Sequence, residues 1–192
     1  KPRLAIRRPC STLPPVNNAE PYRLVKLVNG VLSVRAHAED ETFHPVIGPA
    51  AEADALYVRQ LRLPERMAAQ REEFVIWDVG LGGAANAVAA LLAGRAAACP
   101  VRLISFDHTL EPLAFGLRHA AELGYFAHYP GPLETLLRAG RVQFRDGAHE
   151  VSWEVHVADF PTFLASPAAA QLPPPHAILF DAFSPAKNPA MW

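Results

Sequence analysis

Cysteine is scarce in this sequence: Cys10 and Cys99 are the only two, they stand 89 positions apart, and neither sits in a CxxC pair or beside a histidine cluster. That excludes a disulfide framework and argues against zinc or any other bound metal. No apolar run approaches the roughly 18 residues that span a bilayer. The first residues also lack the charged-then-apolar order of a secretory signal. The chain therefore reads as soluble and cytoplasmic, in a reducing setting and with no membrane partner. Charge of one sign is missing too: Lys+Arg number 18 against Asp+Glu 19, a formal net charge of -1, so the protein is not a polycation throughout. No internal repeat occurs. What is present is core-forming material, 51% hydrophobic residues with 10 Phe and 3 Trp and only 19% charged, far from the composition of a disordered chain. A length of 192 residues suits about one domain of roughly 100–200 residues.

The near-zero net charge hides an asymmetry. Residues 1–35 carry seven basic side chains (Lys1, Arg3, Arg7, Arg8, Arg23, Lys26, Arg35) and one acid, Glu20, while the rest carries eleven against eighteen. Such an arm suits a polyanionic partner, although a merely solvated arm has the same composition. Proline clusters at Pro14-Pro15, Pro173-Pro174-Pro175 and Pro185/Pro189, where it marks loops and boundaries. The implied division is a basic arm, hairpin and short helix over 1–70, then a ligand-binding α/β unit over 71–192.

Between Tyr22 and Ala36, two β-rich runs flank Asn29-Gly30, the pair suited to the two positive φ values of a type I′ hairpin turn. Residues 40–49 are polar and punctuated, and 50–60 hold helix formers. Phe74 to Val79 (FVIWDV) is a continuous apolar run, as expected of a strand covered on both faces. GLGG then turns the chain into an alanine-rich helix over 84–94. Val101 to Asp107 (VRLISFD) is a second buried strand, followed by a helix over 110–123 whose apolar face is Leu113, Leu117, Ala120 and Ala121. A short helix over 133–139, strands over 141–145 and 150–157 around Asp146-Gly147, a helical turn over 161–166 and the strand HAILFD (176–181) complete the order. Strands alternating with helices predict an α/β fold with a doubly wound, mostly parallel, Rossmann-like sheet and an N-terminal β-hairpin extension. Its ligand would sit at the carboxyl ends of the strands.

Acids gather at those ends: Asp78, Asp107 and Asp181 close strands, and Asp159 lies just beyond another. Each alone could simply cap the following element. Together they read as a site, because desolvating carboxylates without partners is costly. Gly80-Leu81-Gly82-Gly83 follows directly on the first buried strand, with a helix after it, the context that the nucleotide fingerprint demands. Yet Ala85 stands in place of the third glycine, and Asp78 precedes the turn by two residues. An anion there repels a pyrophosphate but suits a ligand with a cationic amino group. S-adenosylmethionine has that group and a sulfonium and lacks phosphate; Asp107 would accept from its ribose hydroxyls, and Asp159 with Phe160 would flank its adenine. A nicotinamide dinucleotide is the competitor.

The last stretch, ILFDAFSPAKNPAMW, resembles the LDGFAPAKNPxMW signature of the MnmC-like tRNA 5-methylaminomethyl-2-thiouridine methyltransferase domain. FVIWDVGLGGAANAV is similar to that family's strand and glycine turn, an acid followed by GxGTGxN. This puts Asp78, Gly80, Gly82 and Asn86 on cofactor-binding positions, with Gly83 in the same turn. ISFDHTLEPL resembles its SFEKxPL segment, so that Asp107 falls on the ribose acid and His108 beside it, and VADFPTFL resembles GDIxxLL around Asp159. The likeness runs from about Phe74 to Trp192, and more loosely from Tyr22. Departures are Gly83 for Thr, Ala84 for Gly, His108 for Lys and Ala182 for Gly.

The resemblance implies transfer of a methyl group from S-adenosylmethionine to the aminomethyl group of a modified wobble uridine in tRNA. Asp181 would be the catalytic carboxylate, while Phe183, Pro185, Lys187 and Asn188 would shape the nucleoside entrance. Larger members carry a fused flavin-dependent oxidase, and the architecture has further strands after HAILFD. An open strand at a sheet edge is avoided, so the natural chain is expected to continue, or a partner chain to cover that edge. A methyltransferase acting on a small amine and a non-catalytic protein keeping the fold are the alternatives.

Overall fold

The computed structural model describes residues 20–192; the basic residues Lys1, Arg3, Arg7 and Arg8, with Cys10, lie outside the described residues. The first element is a small antiparallel sheet of β1 (Tyr22–Lys26), β2 (Leu32–Ala36) and β3 (Glu41–Thr42). Its hairpin is not the expected type I′. Gly30 has φ 86 while Asn29 is not among the positive-φ residues, and Gly30 N–H donates to Leu27 O at 2.9 Å as Leu27 N–H donates to Val31 O at 2.8 Å. This is a three-residue loop with glycine in the left-handed position. Asn29 is used instead through its side chain, accepting from Val31 N–H and donating to Ile47 O at 3.1 Å.

The helix expected over 50–60 begins as α1 (Pro49–Ala53) but continues as a π-helical turn, Asp54–Arg59, and a second helix not anticipated, α2 (Leu63–Ala69), follows. The wider turn lets Tyr57 reach across to donate to Phe180 O at 2.6 Å. Such π turns recur beside functional sites. Buried Leu63 and Met67 of α2 share one core with Phe74, Ile76 and Leu91.

The main sheet holds β4 (Phe74–Val79), β5 (Val101–Asp107), β6 (Arg141–Asp146), β7 (His149–Val157) and β8 (Ala177–Phe180), in the order β6-β7-β5-β4-β8. Four strands are parallel; β6 runs antiparallel to β7. Its exposed Arg141, Gln143 and Arg145 blunt that edge. β8 pairs with β4 alone among the described residues, and its Ile178 is exposed. Winding reverses between β4 and β8, as the strand alternation predicts. Helices α3 (Ala85–Gly94), α4 (Glu111–Arg118), α5 (Ala120–Leu123), α6 (Pro130–Ala139) and α7 (Phe160–Leu164) complete the unit. The single helix expected over 110–123 is broken at His119, and Ala121, assigned to its apolar face, is exposed. Period-two alternation sorts β4 into two cores: Phe74 and Ile76 pack with Val88 and Leu91 of α3, whereas Val75 and Val79 pack with Ile104 and Phe106.

Candidate functional site

A cleft of about 850 Å³ opens at the carboxyl ends of β4, β5 and β8. Strand register decides which acids reach it. Asp78 pairs with Ser105 on one side and Leu179 on the other, so two residues further on Gly80 lies between Asp107 and Asp181 at the rim. Any Cβ on Gly80 (φ 91) would stand 2.5 Å from the Asp181 carbonyl oxygen, and only glycine satisfies that φ and that approach together.

Asp78, expected at a cofactor-binding position, is therefore one row too deep to line the cleft. It lies on the Ile76 face of β4, fully buried, and accepts from the Ser105 hydroxyl at 2.7 Å; Ser105 in turn accepts from Trp153 Nε1 at 2.9 Å. Its other oxygen has no hydrogen-bond partner among the described residues. Burial, only partly offset by the Ser105 bond, pushes its carboxyl up to about 7. Asn86 is likewise buried and absent from the cleft lining. Its amide donates to Asp181 Oδ2 at 2.7 Å, so it holds the acid from behind the cleft surface.

Gly80, Gly82 and Gly83 do line the cleft, but each is also packed against protein: a Cβ on Gly82 would meet the Phe43 ring at 3.4 Å, and one on Gly83 the Tyr125 hydroxyl at 2.8 Å. Ala84, where the resemblance has glycine, keeps the left-handed φ of 62 and is fully buried. Asp107 lies on the rim with its carboxylate engaged. One oxygen accepts from Gly82 N–H at 2.8 Å, the other from Thr109 N–H at 3.3 Å, and His108 Nδ1 is 3.1 Å away. Hydrogen bonding to Asp107 raises the His108 pKa. A carboxylate offers about four lone-pair sites, so hydroxyls can share it.

Asp159 meets the bland expectation for a strand-end acid. It caps α7, accepting from Thr162 N–H at 3.0 Å, and its hydrogen bonds to Thr162 lower its pKa; it also lines the cleft beside Phe160, whose ring packs on Phe106. Beyond β8, Asp181, Phe183, Lys187 and Asn188 line the cleft. Pro185, also expected there, is exposed and does not line the cleft. Phe183 is committed to packing on Phe43, centroid to centroid 5.7 Å.

Sequence reasoning missed the opposite wall. The stretch read as a punctuated polar loop supplies Glu41 of β3 and, after that strand, Phe43 and His44, and α1 supplies Glu52; all line the cleft. Glu41 accepts from Ser184 N–H at 3.1 Å and from the Ser184 hydroxyl, tying the small sheet to the loop after Asp181. The left-handed residues there are Asp40 and His44, types enriched in that region but far more often found outside it.

Among the described residues the lining holds seven carboxylates (Glu39, Asp40, Glu41, Glu52, Asp107, Asp159, Asp181) against Arg35 and Lys187, with His44 and His108 able to add charge. Arg35 is itself paired with Asp40. This donor set fits a ligand with positive centres and hydroxyls, as S-adenosylmethionine has, and opposes a pyrophosphate.

No family model and no curated protein matches the sequence. Among solved structures the fold is shared with MnmC2 from Aquifex aeolicus, with a TM-score of 0.62 and 22% identity over 92% of this chain. The chain spans about half, 54%, of the length of that protein. The C-terminal domain of precorrin-6Y C5,15-methyltransferase from Rhodobacter capsulatus aligns over 70% of this chain and 54% of its own, at 18% identity and a TM-score of 0.31. The chain shares the fold of the Aquifex aeolicus protein, with a mostly parallel five-stranded sheet and a three-stranded antiparallel one. No helix among the described residues is long and apolar enough to cross a membrane.

Proposed function

We propose that the chain is an S-adenosylmethionine-dependent methyltransferase acting on an amine, with the aminomethyl group of a modified wobble uridine in tRNA as its acceptor. The observation that carries this reading is the acid-rich cleft at the winding reversal, floored by the Gly80–Gly83 turn and centred on Asp181. Gly80 to Gly83 would hold the methionine end, Asp107 the ribose hydroxyls, and Phe160 and Asp159 the adenine. When bound, the donor supplies a methyl carbon that an amine lone pair displaces from a sulfonium.

The protein's own part is placement. Asn86 pins Asp181 Oδ2, which leaves Oδ1 as the oxygen without a protein hydrogen bond among the described residues. An amine N–H directed at Oδ1 has its lone pair aimed across the cleft. Holding nucleophile and methyl carbon at near-attack distance is worth up to about 7–11 kcal/mol in favourable cases. The rigid backbone contact between Gly80 and Asp181 provides that constancy. Phe183, Lys187 and Asn188 would frame the nucleoside; for a single-stranded pyrimidine, aromatic contact is the usual mode.

The surplus of carboxylates favours the amine more than the phosphates of an RNA, so a small amine acceptor is the second reading. Calorimetric titration with S-adenosylhomocysteine tests the shared premise, and a flat trace with folded protein rejects it. Incubation with labelled donor and bulk tRNA lacking the terminal methylation, followed by nucleoside analysis, tests the acceptor: label in a wobble uridine supports the tRNA reading, and label absent from tRNA with turnover of a small amine replaces it.

A further inference from the structure

His44 is held in the left-handed region, φ 48, a conformation that costs a side-chain-bearing residue about 1–2 kcal/mol and persists where its surroundings over-determine it. They do so here. Phe43 N–H donates to Val34 O at 2.8 Å, and the Phe43 ring is packed against Phe183 and Tyr22. On the other side, Glu52 Oε1 gathers three backbone N–H groups, Val46 at 2.7 Å, Ile47 at 2.9 Å and Gly48 at 3.3 Å. The imidazole is left in the cleft between two carboxylates: Nε2 is 3.5 Å from Asp181 Oδ2, and Nδ1 is 3.9 Å from Glu52 Oε2. Its side chain is only 10% exposed. Both separations exceed a good hydrogen bond, so neither nitrogen is committed to its neighbour.

We infer that His44 is the proton acceptor that prepares the amine. This rests on the amine-methylation reading above. A primary alkylamine with a pKa near 10.4, as for lysine, enters at neutral pH as an ammonium, which has no lone pair. His44 Nε2 takes one proton, giving an imidazolium flanked by Glu52 and Asp181 and a neutral amine whose N–H is accepted by Asp181 Oδ1. The nitrogen then forms its bond to the methyl carbon as the carbon–sulfur bond breaks and the electron pair stays on sulfur. The methylated product keeps two protons and the positive charge, and the proton on His44 passes to solvent before the next turnover. The charged groups facing the imidazole are Glu52 from α1 and Asp181 beyond β8. Glu41 of β3 and Lys187 line the same cleft, Glu41 engaged by Ser184, and Asp78 lies one row deeper.

The test uses His44→Asn, because Asn tolerates the left-handed backbone best, and Glu52→Gln, whose amide oxygen still accepts from the loop. Methyl transfer to tRNA bearing the unmethylated aminomethyl uridine is followed from pH 7 to pH 10. Near pH 7 the His44→Asn rate should be at least ~100-fold below wild type, and the gap should close to within about fivefold by pH 10, where the amine deprotonates without help. Glu52→Gln should show a smaller gap with the same recovery. A gap that does not change with pH overturns the assignment. Independently of turnover, in histidine-¹⁵N-labelled protein saturated with S-adenosylhomocysteine, adding the aminomethyl nucleoside should move the His44 Nε2 resonance from the unprotonated to the protonated range. A resonance that stays put also overturns it. S-adenosylhomocysteine should bind wild type and His44→Asn alike. If wild type does not bind it, the methyltransferase reading falls and takes this one with it; if it binds, the pH comparison judges His44 alone.

Discussion

Asp181 is where residue-scale chemistry concentrates, since it lines the cleft and one of its oxygens is fastened by Asn86. In Asp181→Asn the amide oxygen would take the Asn86 bond and turn an N–H₂ group toward the incoming amine, a donor against a donor. Methyl transfer should fall by about 10²–10³, while calorimetry should find S-adenosylhomocysteine affinity within a few-fold of wild type. Asp78 has the opposite character. Its folded pKa of about 7 lies above the ordinary 3.8, so between those values the folded state binds more protons than the unfolded one, and stability falls as pH rises. That contribution is fully present below about pH 4 and lost through pH 7. Urea unfolding midpoints across pH 4–8 should show the decline in wild type, and Asp78→Asn, which cannot ionise, should flatten it, a difference on the order of a few kcal/mol at most. Both acids looked alike in sequence. Strand alternation already placed Asp78 on the Ile76 face; what it could not supply was the pairing with Ser105 and Leu179, which shows the row to be buried.

At the scale of elements, the Gly80–Gly83 turn and the β3–α1 segment close on one another. The turn was legible because strand, glycines and helix follow in order. Its tightness was not, because the atoms that crowd it come from Asp181, Phe43 and Tyr125. Gly80→Ala should cost about 2–4 kcal/mol, combining a left-handed φ with a backbone collision, and should weaken S-adenosylhomocysteine binding by displacing Asp181; thermal unfolding and calorimetry on one preparation read both. The segment over 40–49 was opaque for a related reason. A two-residue strand has no periodicity to detect, and the left-handed residues that flank it, Asp40 and His44, are set by contacts with the hairpin and α1. The π turn at Asp54–Arg59 and the break at His119 belong to the same class: composition favours helix at both, and packing chooses its winding and its end.

For the whole molecule, charge is the governing quantity. The cleft is acidic, whereas Lys1, Arg3, Arg7 and Arg8 at the N-terminus are unaccompanied by any acid before Glu20. If tRNA is the substrate, phosphates must be met by basic residues away from the acidic cleft, and the arm has the right composition. Removing residues 1–19 should then lower the slope of log affinity against log salt by something under about 0.9 for every phosphate that the arm neutralises, with S-adenosylhomocysteine affinity unchanged. An identical slope in filter-binding titrations of the two proteins would assign the arm no role in RNA binding.

Composition and pattern by themselves determined the fold class and pointed to the carboxyl edge, where the cleft lies, because buried parallel strands, glycine turns and strand-end acids are local in the chain. Tertiary structure alone decided which acids line the cleft, that Asn86 and Asp78 lie behind it, and that His44 and Glu52 form the facing wall. The reason is physical: register across β4, β5 and β8 and the docking of the N-terminal sheet join residues up to about 140 positions apart, such as Glu41 and Ser184, and no local preference encodes a distance between segments that meet only when the core has packed.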